Sequence, residues 1–214
     1  MHLDIFSDTI CPWCYIGKRR LERALRARPM PELEIRWRAF QLNPGMPVGG
    51  MDRQQYLAAK FGSAERAGRL HDTVTRVGAE EGIRFRFDRI GRTPNTMKSH
   101  RLLALAGQHG IQSSLLDRLF AAYFTEGRDT GRADELMEIG REAGLPEDEI
   151  DAALAEDSPI GTSLAEDFLA RRQGINGVPY FVFNGRFGLS GAQEPEALFH
   201  MLDLAREDDV LVRA

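Results

Sequence analysis

Apolar and polar positions along the chain change period several times, and these changes predict an alternation of strands and helices. Residues 2–7 alternate loosely and predict a buried strand. A helical spacing of apolar residues follows over about 12–28, where Pro29 and Pro31 end it. Residues 33–40 return to a period of two, which indicates a half-buried strand. This order predicts a parallel pair of strands joined by a right-handed crossover helix.

Helical patterns dominate the middle of the chain. A turn-rich linker over residues 41–50 leads into this region. The pattern then predicts helices at about 52–61, 63–82, 96–109, 112–125, 133–143 and 146–156. Residues 83–88 also alternate, but Gly91 and Pro94 break the chain soon after them, and we interpret this segment as an extended arm. Residues 52 to about 157 are therefore expected to be all-helical.

The last part of the chain returns to strands. The predicted elements are a helix opened by Ser158-Pro159, a strand at 180–183, a turn at Asn184-Gly185, a strand at 186–190 and a helix at 194–207. The complete order is β-α-β, a helical block, then α-β-β-α. We therefore predict a thioredoxin-like α/β domain formed by residues 1–50 and 158–214, with a large all-helical insertion at 51–157.

Candidate chemistry is concentrated in Cys11-Pro12-Trp13-Cys14, between the first strand and the first helix. Cys11 lies where the free N–H groups of a helix start favour a thiolate, and Cys14 lies one turn later, close enough to form a disulfide with it. Pro12 suits a first helical turn. These are the only cysteines among 214 residues, and the five histidines lack ligand spacing, so the pair predicts a redox dithiol without bound metal. An inert structural disulfide is typical of secreted proteins, and the chain shows no other sign of secretion.

Composition and charge narrow the classes of partner. The chain is 43% hydrophobic and 28% charged, as in ordinary globular proteins. Its net charge of −4 gives no indication of nucleic-acid binding. No stretch has the length of a transmembrane helix, and no signal peptide is evident, so we expect a cytoplasmic protein without membrane partners. The basic run from Lys18 to Arg28 is interpreted as a solvated helix face.

Further motifs follow the dithiol in a fixed order. They are Cys11–Lys18, Phe40–Pro44, Asn95-Thr96, Ser99–Leu102, Phe124–Gly127, Gly177–Pro179 and Ser190–Gln193. This set resembles the DsbA-family thioredoxin-fold oxidoreductases, in particular their FrnE-like branch, and it spans nearly the whole chain. The resemblance implies a cis peptide at Val178–Pro179 beside the dithiol, where the backbone of Val178 could pair with a substrate.

The expected function is thiol–disulfide oxidoreduction, with disulfide isomerisation left open. Cys11 would attack a substrate disulfide, and Cys14 would resolve the mixed disulfide. The substrate would be a disulfide-containing protein or a small thiol compound. We expect no bound cofactor. The expected redox partner is glutathione or a thioredoxin system, and dimerisation through the helical block is an option.

Trp13 has two expected consequences. It takes the place of the histidine in the Cys-Pro-His-Cys motif of DsbA, and it cannot carry the charge of that histidine. We therefore expect a less oxidising redox couple than that of DsbA, at about −150 to −250 mV. We also expect its ring to form an exposed apolar lip for substrate docking.

Five residues are candidates for substrate binding: Asn43, Asn95, His100, Ser190 and Gly191. His100 could shuttle a proton or position a carboxylate, or it could be an ordinary packed histidine. A helix cap is favoured for Asn95, and a turn for Asn43. Ser190-Gly191 precedes a helix, where N–H groups could hold a carboxylate of glutathione or of a peptide, with capping as an equal alternative.

Two other functions stay open. One is a glutathione-dependent isomerase or transferase that resembles 2-hydroxychromene-2-carboxylate isomerase or kappa-class glutathione transferase, although these relatives usually have serine in the place of Cys11. The other is a binding or chaperone-like module with a groove lined by Trp13, in which Cys11 would be dispensable.

Overall fold

The structure is a computed structural model that describes residues 1–155, 158 and 162–213. Its strands are β1 His2–Ser7, β2 Glu34–Ala39, β3 Met51–Asp52, β4 Arg92–Thr93, β5 Tyr180–Phe183 and β6 Phe187–Ser190. Its helices are α1 Pro12–Ala27, α2 Arg53–Phe61, α3 Ala64–Glu80, α4 Met97–Gln108, α5 Gln112–Ala121, α6 Ala133–Glu142, α7 Glu147–Leu154, α8 Thr162–Arg172 and α9 Pro195–Arg213. A 3-10 turn at Phe87–Arg89 precedes β4, and a π-helical segment at Ala122–Glu126 continues α5. Pro159, part of the predicted start of α8, lies outside the described residues.

Four strands form the main sheet in the order β2-β1-β5-β6. Strand β1 runs parallel to β2, with Ile5 opposite Trp37, and antiparallel to β5, with Ile5 opposite Phe181. Strands β5 and β6 form the hairpin predicted around Asn184-Gly185, and both turn residues have positive φ. The predicted thioredoxin-like α/β fold with a helical insertion is confirmed.

The insertion is not entirely helical, which corrects the sequence prediction. Met51 pairs with Thr93 and Asp52 with Arg92 in a two-residue antiparallel ladder. A ladder of this length produces no readable alternation in the sequence. The predicted arm at 83–88 forms no strand, and Arg86 N–H donates to the carbonyl of Phe124 at 2.8 Å.

A large apolar core joins the sheet to the insertion, and a smaller apolar cluster joins β1 to α8. Leu3 and Ile5 of β1 are fully buried, as is Phe120 of α5. The ring of Tyr15 on α1 stacks on Phe120, with ring centroids 4.9 Å apart. Burial of each large apolar side chain contributes about 1.5–3 kcal/mol, so the insertion holds α1 firmly against the sheet.

The predicted solvated face of the basic run on α1 is right for Arg23, Arg26 and Arg28, which are exposed, but two other residues of the run are buried against the insertion. The Lys18 side chain is 1% exposed, and its ammonium donates to Asp117 of α5 at 2.6 Å and also to Glu22. Arg20 pairs with the buried carboxylate of Glu81 at 3.0 Å. These pairs connect the helix that begins at the dithiol to α5 and to the end of α3.

Side chains close the outer edge of β2. Gln112 of α5 accepts the N–H of Trp37 at 2.9 Å and donates to the Trp37 carbonyl at 3.0 Å. Glu166 of α8 accepts the N–H of Ala39 at 2.9 Å. Because edge strands present unpaired backbone groups, these contacts protect the edge and attach the helices to it.

Candidate active site

The dithiol lies where β1 passes into α1. Cys11 is the N-cap of α1, with extended backbone angles, and Pro12 occupies the start of the first turn. The Cys11 N–H donates to the carbonyl of Asp8 at 3.0 Å, and the Cys14 N–H donates to the carbonyl of Cys11 at 3.0 Å. The first sulfur therefore stands at the positive end of the helix dipole, as the sequence predicted.

The peptide between Val178 and Pro179 is cis, as the resemblance implied, and it lies beside Cys11. The Cys11 thiol donates to the carbonyl of Val178 at 3.6 Å. Gly17 permits this packing, because a Cβ at its position would lie 3.0 Å from Cγ of Pro179. The loop and the first turns of α1 therefore fit together through a residue without a side chain.

The two sulfurs differ in their surroundings. Both are free thiols, with Cys11 3% exposed and Cys14 fully buried. Burial raises the pKa of Cys14 well above its ordinary value of 9.0, and the hydrogen bond and charge coupling with Cys11 raise it further. The Ser7 hydroxyl and the Asp8 backbone act in the opposite direction. Cys14 is therefore held as a thiol until a proton acceptor removes its proton.

Pro12 and Trp13 are half-buried, and Trp13 packs against the main core. The expected exposed lip is thus only partly formed. A half-buried indole between the two cysteines still contributes apolar surface beside the sulfurs, which a docking substrate would cover.

Asp8 was not singled out from the sequence. It is fully buried, and its Oδ2 accepts the N–H of Leu42 at 2.7 Å, which ties the dithiol turn to the linker after β2. The neighbouring Thr9 hydroxyl lies 2.8 Å from that of Ser99 on α4. The signal available in the sequence was an acidic residue three positions before Cys11, in a turn that has to be buried between a strand and a helix.

His100 lies on α4 and faces this turn. It is 4% exposed, and its Nε2 is 3.5 Å from Oδ1 of Asp8. The structure therefore brings this candidate to the turn that precedes the dithiol, at the boundary between the sheet and the insertion.

The two asparagines make contacts within the protein. Asn43 donates to the hydroxyl of Tyr56 at 3.2 Å and accepts from Lys60 at 3.0 Å. Asn95 accepts the N–H of Met97 at 3.0 Å and donates to the carbonyl of Met46 at 2.7 Å. Asn95 thus acts near the helix start, as favoured from the sequence, although Thr96 is the N-cap residue of α4.

Ser190 and Gly191 follow β6 and lie next to the cis-proline loop. The Gly191 N–H donates to the carbonyl of Pro179 at 2.8 Å, and Gly191 has a positive φ of 83°. The carbonyl of Ser190 accepts the side chain of Gln193 at 2.8 Å. The Gly191 N–H is therefore already used, which weighs against its predicted role in holding a carboxylate.

The described part of the chain contains neither a metal cluster nor a membrane-spanning helix. Among those residues, no three His, Cys, Asp or Glu side chains come together as a metal site would require. None of the helices there is sufficiently long and apolar to cross a bilayer.

Comparisons with known proteins agree with the fold. A family described as the DSBA-like thioredoxin domain matches residues 2–203. A probable DsbA oxidoreductase from Streptomyces coelicolor has a similar structure, with 35% identity, a TM-score of 0.88 and coverage of 97% of this chain and 90% of that one.

Two more distant structures share the fold alone. A putative protein disulfide isomerase from Nitrosomonas europaea has 18% identity and a TM-score of 0.74, with 97% of this chain and 98% of that one covered. A 2-hydroxychromene-2-carboxylate isomerase has 18% identity and a TM-score of 0.71, with 99% of each chain covered. The match over residues 2–203 shows that this chain belongs to the family of DsbA-like thioredoxin domains.

Proposed function

We propose that this protein is a thiol–disulfide oxidoreductase of the FrnE-like branch, active in the cytoplasm. The observation that carries the proposal is the position of Cys11, which caps α1 and donates to the carbonyl preceding a cis-proline at 3.6 Å. The start of a helix is a favourable place for a negative charge, and thiolate is the form that attacks disulfides.

The reaction follows from the difference between the two sulfurs. Cys11 attacks a substrate disulfide as the thiolate, forming a mixed disulfide and releasing one substrate thiolate. Cys14 then loses its proton and attacks the Cys11 sulfur, so that the Cys11–Cys14 bond forms and the second substrate thiolate leaves. The enzyme is oxidised by two electrons and the substrate disulfide is reduced to two thiols; the reverse sequence oxidises a dithiol substrate.

The substrate class is a disulfide-containing protein or a small thiol compound, with glutathione or a thioredoxin system returning the enzyme to its starting state. Trp13 and the cis-proline loop support this class, because they offer an apolar surface and a backbone carbonyl on either side of Cys11. No bound cofactor is needed for the exchange. Assembly as a homodimer through the insertion forms part of the proposal.

Insulin reduction in the presence of glutathione tests the proposal. Wild type should reduce insulin, and Cys11→Ser should lose this activity. Equal turnover by the wild type and Cys11→Ser would refute the proposal and favour a binding module. Activity of both proteins in a glutathione-dependent isomerase assay, without insulin reduction, would instead favour the isomerase or transferase function.

A further inference from the structure

A cavity of about 370 Å³ lies beside the linker that follows β2. Its walls come mainly from the linker and from the first turns of α4. Lys98 and Arg101 of α4 line it, together with the buried amide of Gln41 and the apolar side chains of Val48 and Met97. Val48 is 72% exposed, so the cavity opens to solvent at its rim. An accessible cavity thus places two cations next to an apolar surface.

Neither cation pairs with a carboxylate of the described residues. Arg101 donates to the Ala155 carbonyl at 2.7 Å, and its Nε is buried without a hydrogen-bond partner in that part of the chain. Lys98 has no carboxylate oxygen within 4 Å there. By contrast, Arg128 in the same insertion pairs with Glu135 at 2.6 Å. Because charges removed from water are usually paired, the two cations favour an anion in the cavity.

The other polar groups of the cavity also favour an anion. Gln41 is 3% exposed, and its side-chain nitrogen donates to Asn95 and Thr96 only at 3.5 and 3.4 Å. Since an ordinary N–H···O bond is about 2.9–3.0 Å long, this donor is available for a ligand oxygen. Among the described residues, no acidic side chain lines the cavity. Asp129 lies two residues before Gly131 of the wall, and it accepts the N–H of Gly131 at 3.1 Å.

The cavity and the dithiol share the turn between β1 and α1. In the linker, the N–H of Leu42 donates to Asp8 at 2.7 Å. On α4, the hydroxyl of Ser99 lies 2.8 Å from that of Thr9. Thr9 is two residues before Cys11, a span of at most about 7 Å. A substrate whose disulfide lies at Cys11 can therefore reach the cavity with a group that is a few residues away from its sulfur.

Two further cations, on α2, also lie next to the linker. Lys60 donates to Oδ1 of Asn43 at 3.0 Å, and Arg53 donates to the neutral hydroxyl of Thr93 at 3.1 Å. The two charges lie 5.3 and 5.6 Å from the ring centre of Tyr56. Neither has a carboxylate oxygen within 4 Å among the described residues. The linker is therefore bordered by positive charge, although the net charge of the chain is −4.

We propose that this cavity binds a carboxylate of the substrate, so that acidic disulfides are the preferred substrate class, an inference that rests on the proposed oxidoreductase function. Lys98 and Arg101 bind the carboxylate, Gln41 donates a further N–H to it, and the apolar wall covers the neighbouring methylene groups. The site takes no part in the exchange of electrons. It raises the rate at which acidic disulfides react with Cys11, because opposite charges attract and orient the substrate.

Two chromogenic disulfides test this proposal by stopped flow. One is an aromatic disulfide with a carboxylate on each ring, and the other is dipyridyl disulfide, which has none. The second-order rate constant of the reduced enzyme with each disulfide is divided by that of dithiothreitol, which removes the difference in intrinsic reactivity between the disulfides. Wild type should prefer the acidic disulfide by about tenfold at low salt, and the preference should shrink as salt is added.

Variants of the two cations locate the preference in the cavity. Lys98→Gln and Arg101→Gln should each lower it by about three- to fivefold and leave the rate with dipyridyl disulfide within about twofold of wild type. Lys98→Arg should keep the preference, whereas Lys98→Glu should react faster than wild type with cystamine, a cationic disulfide. Arg26→Gln is the matched control, because it removes one exposed positive charge about 20 Å along α1 from the dithiol and should keep the preference.

Several outcomes overturn the proposal. They are a wild type without preference, an unchanged preference in both glutamine variants of the cavity, and an equal loss of preference in Arg26→Gln, which would show that net charge decides. If Arg101→Gln slows the reaction with both disulfides, Arg101 has a packing role, and Lys98→Glu then decides: no gain with cystamine overturns the proposal. Failure of the oxidoreductase function looks different, because wild type would then release no coloured thiolate from either disulfide or would match Cys11→Ser.

Discussion

Gln112 is the residue through which the insertion is bound to the edge of the sheet. Its side chain satisfies both the N–H and the C=O of Trp37, at 2.9 and 3.0 Å, and also donates to the Leu103 carbonyl at 3.3 Å. The change Gln112→Met keeps the length of the side chain and its helix propensity but removes all of these hydrogen bonds.

The cost follows from the two backbone groups of Trp37. Each lost hydrogen bond is worth about 0.5–1.5 kcal/mol net, and a buried group left unpaired costs about 1–3 kcal/mol. Gln112 is half-buried and borders a cleft that water can enter, so the lower part of this range applies. We expect the free energy of unfolding to fall by about 1.5–3 kcal/mol, which for a domain of this size lowers Tm by about 3–12 °C.

Urea unfolding followed by circular dichroism measures this change. Gln54→Met on the exposed face of α2 is the control and should stay within about 0.5 kcal/mol of wild type. If the Gln112→Met midpoint matched that of the control, the edge of β2 would not depend on this side chain, and the described attachment of the insertion would be wrong.

Three further predictions concern the site. Gly17→Val should push the cis-proline loop away from Cys11, which should lower the free energy of unfolding by about 1–3 kcal/mol and slow insulin reduction. The control is Gly68→Val, which should leave insulin reduction unchanged because no atom lies within 4 Å of a Cβ at that position. The elevated pKa of Cys14 stabilises the reduced fold below pH 9, and this contribution should disappear as the pH rises through the folded-state pKa. The urea midpoints of reduced wild type and of Cys14→Ala should therefore converge above pH 9. Parallel plots of the two midpoints against pH would contradict this. Trp13→His should raise the reduction potential of the dithiol, as measured by a glutathione titration. The increase should be about 30 mV for each 1.4 kcal/mol by which the histidine charge favours the thiolate, and a more negative potential would refute the expectation.

Local patterns were enough to predict most elements of the fold, although not the short ladder of β3 and β4. Helix α2 begins where expected, because the Asp52 side chain accepts the N–H groups of Gln54 and Gln55. It ends before Gly62, which has a positive φ of 77°. Caps, left-handed glycines and the change of period from 3.6 to 2 are all written in neighbouring residues, so they can be found without the tertiary structure.

Contacts between distant residues could not be predicted in the same way. Lys18 was placed on a solvated face because its neighbours in sequence are charged, whereas its partner Asp117 is 99 positions away. The contact between Asp8 and His100 likewise depends on the docking of α4 beneath the dithiol turn. Asn43 was a candidate for substrate binding with a turn favoured, and its carbonyl does accept the N–H of Met46 at 3.0 Å, but the use of its carboxamide by α2 could not be read from the sequence. Which polar side chain faces which partner is decided when the insertion packs on the sheet.

Trapping of the mixed disulfide tests the separate roles of Cys11 and Cys14. Reduced Cys14→Ser is mixed with oxidised glutathione or a disulfide-containing peptide, and the intact protein mass is measured under denaturing conditions without reductant. We predict one adduct that maps to Cys11 after proteolysis and is released by dithiothreitol. Cys11→Ser should remain unmodified, because Cys14 is fully buried and its pKa is raised. An adduct on Cys14 of Cys11→Ser, together with none on Cys11 of Cys14→Ser, would contradict the assigned roles and the proposed mechanism.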